Sequence, residues 1–301
     1  MTQDFLSIAE LTRDDVEKLL SLTERLREDK TAKPLAGKTV AMIFQKPSLR
    51  TRVSFEVGVV QLGGHPIVLS NEGIGIGTRE SAQDIGNILS RFNDAIVARL
   101  FDHQILLDLA HYASIPVINA LTDLSHPCQI MSDLYTLQQH GRLQENISIT
   151  YIGDGNNIVN SWLELAGILP LRLTLSVPHG YEPDKQIFDE AVKKGISSIQ
   201  IVRDPKEAIK TADVIYTDTW TSMGQEQERN KRLFDFWTYQ INASLMKYAK
   251  SDAIVMHCLP AHRGEEITNE ILDGKISVVI DQAENRLHMQ KAILASLLRT
   301  T

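Results

Sequence analysis

The densest chemistry in the chain lies at residues 47–52, Pro47-Ser48-Leu49-Arg50-Thr51-Arg52, where two hydroxyls and two guanidiniums follow a proline. Residues 40–44 just before them form an apolar run of strand character. Pro47 disfavours helix ahead of itself, and Ser48 is a good N-cap for the apolar-periodic stretch that follows. A helix is therefore expected to start near Ser48. Its first-turn N–H groups have no intrahelical partner and lie at the positive end of the helix dipole. With Ser48, Thr51, Arg50 and Arg52 they would make a phosphate-sized anion pocket. Taken alone, the same residues also fit an ordinary capped helix with surface arginines.

Other stretches carry reactive or polar side chains at strand ends. Leu124-Ser125-His126-Pro127-Cys128-Gln129 runs into a helical pattern, and Asp218-Thr219-Trp220-Thr221-Ser222-Met223-Gly224 is a polar loop after a strand. His257-Cys258-Leu259-Pro260-Ala261-His262-Arg263-Gly264 opens from another strand. His126, Cys128, His257, Cys258 and His262 include zinc-ligand types, but their pairs lack the usual ligand spacing, so no metal is expected. The turn Gly153-Asp154-Gly155-Asn156-Asn157 follows a strand as a dinucleotide fingerprint does. That fingerprint needs Gly or Ala at position 158, where the chain has Ile. Each residue also has a plainer reading: His126 as a turn histidine, Cys258 as a buried inert thiol, Asp218 as a turn cap, Arg79 as a solvated loop arginine.

These residues need elements to hold them. Residues 7–29 carry a helical stripe of leucines among charges. The helix after Ser48 ends at Gly63-Gly64, followed by a strand at 65–70 and a loop at 71–80, whose glycines at 73, 75 and 77 mark mobile backbone. Helices at 81–92 and 103–113 alternate with strands at 95–101 and 116–121. The helix after His126 ends near Gly141 and bridges to a second half. There, strands are expected at 147–152, 171–177, 199–202, 214–217, 253–256 and 276–281. Helices fall after the 153–157 turn, at 184–194, from Pro205 and at 282–298. Such alternation predicts parallel sheets covered on both faces, with ligands at the carboxyl ends of strands. Ser48 to Arg52, Arg99 and His126 all fall at such ends.

A length of 301 residues is natural for two domains. The 43% hydrophobic and 23% charged content is that of a globular chain, and no apolar run approaches the roughly 20 residues of a membrane span. The acidic start lacks a secretory pattern, and two cysteines in the whole chain suit a reducing compartment, so the cytoplasm is expected. A net charge of −7 disfavours nucleic acid as a partner and confines any anion site to a local concentration of Arg and His.

Four separated pieces, PSLRTR at 47–52, HPCQ at 126–129, DTWTSMG at 218–224 and HCLPAHRGEE at 257–266 with AENR at 283–286, resemble the ornithine carbamoyltransferases from end to end. The resemblance implies an α/β fold of two doubly wound parallel-sheet domains joined by helices, with the C-terminal helix packing back on the first domain. A carbamoyl-phosphate domain would span 1–138 plus 287–301, and an ornithine domain 139–286. It further implies a homotrimer or a multiple of trimers, active sites at subunit boundaries, no cofactor, and a place in amino-acid metabolism. Carried over by position, Ser48, Arg50 and Thr51 would bind phosphate, with Leu49 adding its backbone N–H. Arg99 would bridge phosphate and carbonyl oxygens, and His126 and Gln129 would hold the carbamoyl group. Cys258 and Leu259 would line the reaction centre, and Arg286 would add a donor to the carbamoyl oxygen. Asn157, Asp218, Ser222 and Met223 would bind L-ornithine. Fixed donors from Arg50, Arg99 and His126 suit the oxyanion that forms when an amine attacks the carbonyl carbon. That amine must be neutral, so the rate should rise with pH.

The chain departs from the family pattern at Leu49, where a threonine is usual, and at Gly75, where many members carry a side chain that reaches the adjacent subunit. Loss of a hydroxyl bonded to a charged group costs roughly 1.5–3 kcal/mol. Rival readings are a carbamoyltransferase with another acceptor, such as an N-acylated ornithine, putrescine or aspartate, and a catalytically silent ligand-binding paralogue. The loop at 218–224 argues against the first. Only Leu49 and Gly75 support the second.

Overall fold

Apolar β-branched runs and amphipathic helices alternate along the chain, and each run pairs with its neighbours in parallel. The computed structural model describes residues 3–70 and 74–298. It divides into two compact units, Met1–Tyr135 with Glu284–Thr301, and Thr136–Ala283. The unit boundaries fall a little earlier than the sequence boundaries at 138 and 286, and Arg286 belongs to the first unit. Both junctions lie inside continuous helices, Pro127–Gln139 and Val279–Leu297, where composition gives no break.

In the first unit the strands Thr39–Phe44 (β1), His65–Ser70 (β2), Ala95–Arg99 (β3) and Val117–Leu121 (β4) form a parallel sheet in the order β2-β1-β3-β4. From β1 the chain crosses outward to β2, then back past β1 to β3. Right-handed crossovers therefore put the Leu49–Gln61 helix on one face and the Ala82–Phe92 and His103–Tyr112 helices on the other. Ile43, Ile96, Leu106 and Leu109 fill the core beneath the latter face. On the former, the C-terminal helix packs beside Leu49–Gln61, where Gly58 lets it approach: a Cβ there would lie 3.3 Å from Lys291 Cγ. Lys291 Nζ donates to the Leu26 carbonyl (3.1 Å) and to Gln61 Oε1 (3.2 Å), tying three helices together.

The second unit repeats the scheme with Ser148–Ile152 (β5), Arg172–Ser176 (β6), Ser198–Ile201 (β7), Val214–Thr217 (β8) and Ile254–His257 (β9), ordered β7-β6-β5-β8-β9. Trp220 and Phe236 stack at 5.7 Å in the core on one face. The winding direction reverses between β1 and β3 in one unit and between β5 and β8 in the other. Such switch points open a crevice at the strand carboxyl ends.

Two expectations are corrected, and the glycine loop gains a specific turn. The single helix at 7–29 is a 3-10 turn, Ile8–Glu10, followed by a helix, Arg13–Glu28, because Thr12 forms a capping box with Asp15 and restarts the chain. Residues 276–281 are not a strand. Ile276 and Val278 bracket Val255 in one isolated bridge (2.8 and 3.0 Å), after which Val278 C=O accepts from Gln282 N–H and the helix Val279–Leu297 begins. Glu284 and Arg286 thus lie beyond its first turn. The glycine loop, in its described part, closes on itself: Gly75 C=O accepts from the N–H groups of Thr78 (2.9 Å) and Arg79 (2.7 Å). Gly75 has φ +61 there, and a Cβ would fall 2.8 Å from Arg79 Cβ, so the turn itself calls for glycine. Residues 71–73, including Gly73, lie outside the described residues. Among the described residues no helix is long and apolar enough to cross a membrane.

Candidate functional site

At the first switch point, Ser48 caps the Leu49–Gln61 helix by accepting from Thr51 N–H (3.1 Å), which leaves the helix N-terminus facing the crevice. Thr51 is fully buried. Its Oγ1 accepts from Arg99 (3.3 Å) and from Arg286 (2.8 Å), so two guanidiniums converge on one neutral oxygen. Arg99 is aimed there from the last residue of β3, where the register against β4 slips between Ala98 and Arg99. His126 and Gln129 stand at the start of the Pro127–Gln139 helix, both buried. Burial, and then the positive charges of Arg286, Arg99 and Lys46, push the His126 imidazole well below its ordinary value, so it is neutral at pH 7. Gln129 donates to Asp133 (2.8 Å), and its buried Oε1 receives no hydrogen bond among the described residues. Arg50 is half-buried in the same first turn. A cation cluster around a neutral hydroxyl and a neutral imidazole, at a helix N-terminus, is suited to a small dianion.

Not every predicted residue joins this cluster. Arg52 faces outward and pairs with Glu56 (3.3 Å), Arg79 is exposed on the glycine turn as a solvated loop arginine is, and the Leu49 side chain is 73% exposed, which leaves its expected contribution to the backbone N–H. Lys46, which the sequence reading passed over, is buried with its Nζ paired to Asp123 and placed 4.4 Å from the centre of the Phe101 ring. The signal for it was its position, one residue before the turn's proline. Cys128 is inert: burial pushes its thiol up to about 12.

At the second switch point the sign is reversed. Asp218, buried at the end of β8, accepts from Asn156 Nδ2 (2.8 Å), from Thr219 N–H (2.8 Å) and from the Cys258 thiol (3.0 Å). Asn156 also caps the Asn157–Ala166 helix, which sets Asn157 as its first residue. Ser222 is half-buried, and Met223 is 44% exposed on the loop beyond Trp220. Cys258 follows β9, and Leu259 takes φ +56 with a cis bond to Pro260. That backbone is held by fully buried His257. Its Nδ1 accepts from Leu259 N–H (2.9 Å), leaving the Nε2 hydrogen to Glu266 (3.0 Å), which also accepts from His262 N–H (2.6 Å). Cys258 and Leu259, expected among carbamoyl-phosphate residues, thus belong to the second unit.

Sequence reasoning also missed the role of the 153–157 turn. Gly153 is required by its φ of +141, and Gly155 by packing its backbone on residues 181–183 while donating to Tyr181 C=O (2.9 Å), so both glycines answer to local structure. Asp154 pairs with buried Arg232 at 2.9 Å. Burial raises the Asp154 carboxyl to about 6, with Asp218 and Glu228 adding to the rise and Arg232 opposing it. Asp218, His257 and Cys258 bring ligand-type atoms within 4.8 Å of one another. Those of His257 and of the Asp218–Cys258 pair are already engaged in the hydrogen bonds described above, which suits an ordered loop better than a metal centre.

Two wound α/β units, one with a cationic cradle and the other with a buried carboxylate and thiol, suit the binding of an anionic ligand in one and a cationic group in the other. The family model "Aspartate/ornithine carbamoyltransferase, carbamoyl-P binding domain" matches residues 3–139, and its companion "Asp/Orn binding domain" matches residues 145–297. The chain belongs to the aspartate/ornithine carbamoyltransferase family. An ornithine carbamoyltransferase of Chlorobaculum tepidum is 55% identical over 91% of this chain and 81% of its own. One of Syntrophus aciditrophicus is 51% identical over 99% and 100%. Among solved structures, the ornithine carbamoyltransferase of Pyrococcus furiosus matches with a TM-score of 0.92 at 44% identity, covering 97% of this chain and 96% of the other. The anabolic enzyme of Campylobacter jejuni reaches 0.94 at 36% identity, covering 98% and 99%.

Proposed function

We propose that the chain transfers the carbamoyl group of carbamoyl phosphate to the δ-amine of L-ornithine, giving L-citrulline and phosphate. The observation that carries this reading is the opposite charge of two equivalent crevices, cations around Thr51 in one unit and Asp218 with Cys258 in the other. Ser48, Arg50, Thr51 and the Leu49 N–H bind the phosphate, Arg99 bridges phosphate and carbonyl oxygens, and Arg286 adds a further donor to the carbamoyl oxygen. His126, being neutral, donates one N–H to the carbamoyl group without adding repulsion to the cluster, and Gln129 Oε1 accepts from its amide. As the amine adds to the carbonyl carbon, negative charge grows on the carbonyl oxygen against these fixed donors; the C–O bond to phosphate then breaks, and the departing phosphate takes the proton that the new C–N nitrogen sheds. Asp218 steers the cationic amino group of ornithine, while Asn157, Ser222 and the Met223 backbone fix the amino-acid end. Cys258 and Leu259 line the reacting centre. The nucleophile must shed a proton first, so turnover rises with pH until the δ-amine is neutral.

The same reading includes a cytoplasmic homotrimer or a multiple of trimers. Leu49, Val53, Val57 and Val60 make an exposed apolar stripe along one helix, beside edge strand β2 with its exposed Ile67, and this supports self-association. The test is colorimetric citrulline formation with ornithine, N-acylated ornithine, putrescine and aspartate as acceptors. Ornithine should be preferred. No carbamoylation of any acceptor at saturating carbamoyl phosphate would refute the enzyme reading, and preference for another amine would refute the ornithine assignment.

A further inference from the structure

Arg232 lies in a charged stretch with no recognisable motif, yet it is among the most enclosed charges of the second unit. It projects from the short helix Arg229–Asp235. One nitrogen, Nη1, donates both to Asp154 Oδ2 (2.9 Å) and to the Trp220 carbonyl (2.9 Å). Its Nε donates to Glu228 (3.1 Å), and the guanidinium carbon sits 5.0 Å from the Tyr181 ring centre. Tyr181 is fixed in turn, donating its hydroxyl to Asp235 (2.6 Å) and accepting at its carbonyl from Gly155 N–H (2.9 Å).

These contacts join two segments that are separate in sequence. Asp154 belongs to the turn after β5, three residues before Asn157, and Trp220 follows Asp218 by two residues and precedes Ser222 by two. We propose that Arg232 and Asp154 are positioning residues for the acceptor, clamping the 153–157 turn to the 218–223 loop so that Asn157, Asp218 and Ser222 keep a fixed spacing. This rests on the assignment of those three residues to ornithine. A second strut, the Asn156–Asp218 hydrogen bond, runs between the same segments at 2.8 Å and shares the load.

A buried ion pair kept for stability alone is a poor alternative, because apolar residues of similar volume do that as well or better. A planar guanidinium that reaches Asp154 and the Trp220 carbonyl through Nη1 while its Nε is held by Glu228 instead sets direction, which a lysine ammonium, with a single nitrogen, reproduces only in part. Neither residue touches the substrate in this account. Their loss should therefore act on acceptor geometry and leave donor binding alone.

The test compares wild type, Arg232→Met, Arg232→Lys and Asp154→Asn in steady-state citrulline assays, with both substrates varied. The Met variant should raise the KM for ornithine by about tenfold or more, with the KM for carbamoyl phosphate held within about twofold. Lys, which keeps a charged donor nitrogen but loses the second one, and Asn, which keeps an acceptor, should show smaller increases in the same constant. Unchanged ornithine KM in all three variants would overturn the proposal while leaving the transferase reading intact, and so would equal changes in both KM values. If the Met variant fails to fold, the Lys and Asn variants decide by the same criterion. A wild-type chain that makes no citrulline overturns the functional reading itself, and this inference with it.

Discussion

The two units place their chemistry at the same point of the same scaffold and give it opposite charge. Around Thr51 the buried groups are Arg99, Arg286 and Lys46, with His126 kept neutral. Around Asp218 they are carboxylates and a thiol, with Arg232 as the neighbouring cation. A parallel sheet with a winding reversal supplies a crevice and leaves its sign open, which the side chains at the strand ends then decide. The first crevice is completed from far away in sequence, since Arg286 lies 235 residues from Thr51. The second is built from nearby turns braced by a charge pair. The lesson is a division of labour: anion donor on one unit, cationic acceptor on the other.

The largest test of that division is Asp218→Asn. It removes the charge proposed to steer the amine, so turnover with ornithine should fall about 10²–10³-fold. Stabilisation of the chain by phosphate, read as a thermal shift, should be unchanged. The complementary variant is Thr51→Val, which takes away the oxygen shared by two buried guanidiniums. An unmade bond of this kind costs about 1–3 kcal/mol, so the KM for carbamoyl phosphate should rise roughly tenfold to a hundredfold. The KM for ornithine should stay put. Parallel changes for both substrates in either variant would break the comparison.

Acid should separate the units as well. The His126 imidazole is held well below its ordinary value, by burial and then by Arg286, Arg99 and Lys46, so below about pH 6.5 the unfolded chain binds the proton first. Its contribution to stability is present above that pH and is lost as pH falls. Asp154 is raised by burial from 3.8 to about 6, so between those values the folded chain binds the proton first. The cost of keeping it ionised is complete above about pH 6 and is relieved on acidification. The two groups therefore tilt stability in opposite directions. In denaturant melts between pH 5 and 7, His126→Gln should flatten the loss of stability on acidification. Asp154→Asn should steepen it, by on the order of 1–2 kcal/mol across the window. Identical slopes for wild type and Asp154→Asn would contradict the burial argument.

Much of this was legible in the sequence for a physical reason. Strands β1 to β9 are short apolar runs bounded by turn residues, and capping serines and aspartates mark the helix starts at Ser48, Ser81, Asp102 and Asp184. Asp218 and Thr51 were readable as polar residues at strand and helix ends. What stayed hidden depends on contacts made at a distance. Nothing local announces that Arg232 grips Asp154, or that Lys46 is buried against Phe101. The apolar run at 276–281 looked like a strand because periodicity cannot separate a buried strand from the first turn of a buried helix. The glycines of 153–157 resemble a dinucleotide fingerprint that Ile158 breaks, whereas Gly155 answers to the backbone of residues 181–183 and Gly153 to its φ of +141.

The smallest expected effect concerns Leu49, the residue that departs from the family pattern inside the anion turn. If its missing hydroxyl mattered, Leu49→Thr would tighten carbamoyl-phosphate binding by the worth of a charge-assisted hydrogen bond. The side chain, however, is 73% exposed and lies in line with Val53, Val57 and Val60, away from the buried Thr51. What position 49 offers the anion is its first-turn N–H, which leucine and threonine supply equally. The KM for carbamoyl phosphate should therefore move by less than about threefold, within the range of ordinary surface substitutions. Self-association, read by sedimentation, should weaken slightly, because one member of the apolar stripe is lost. A tenfold fall in that KM would mean that the side chain does reach the phosphate. The cationic crevice would then be short of a donor, which its geometry around Thr51 gives no reason to expect.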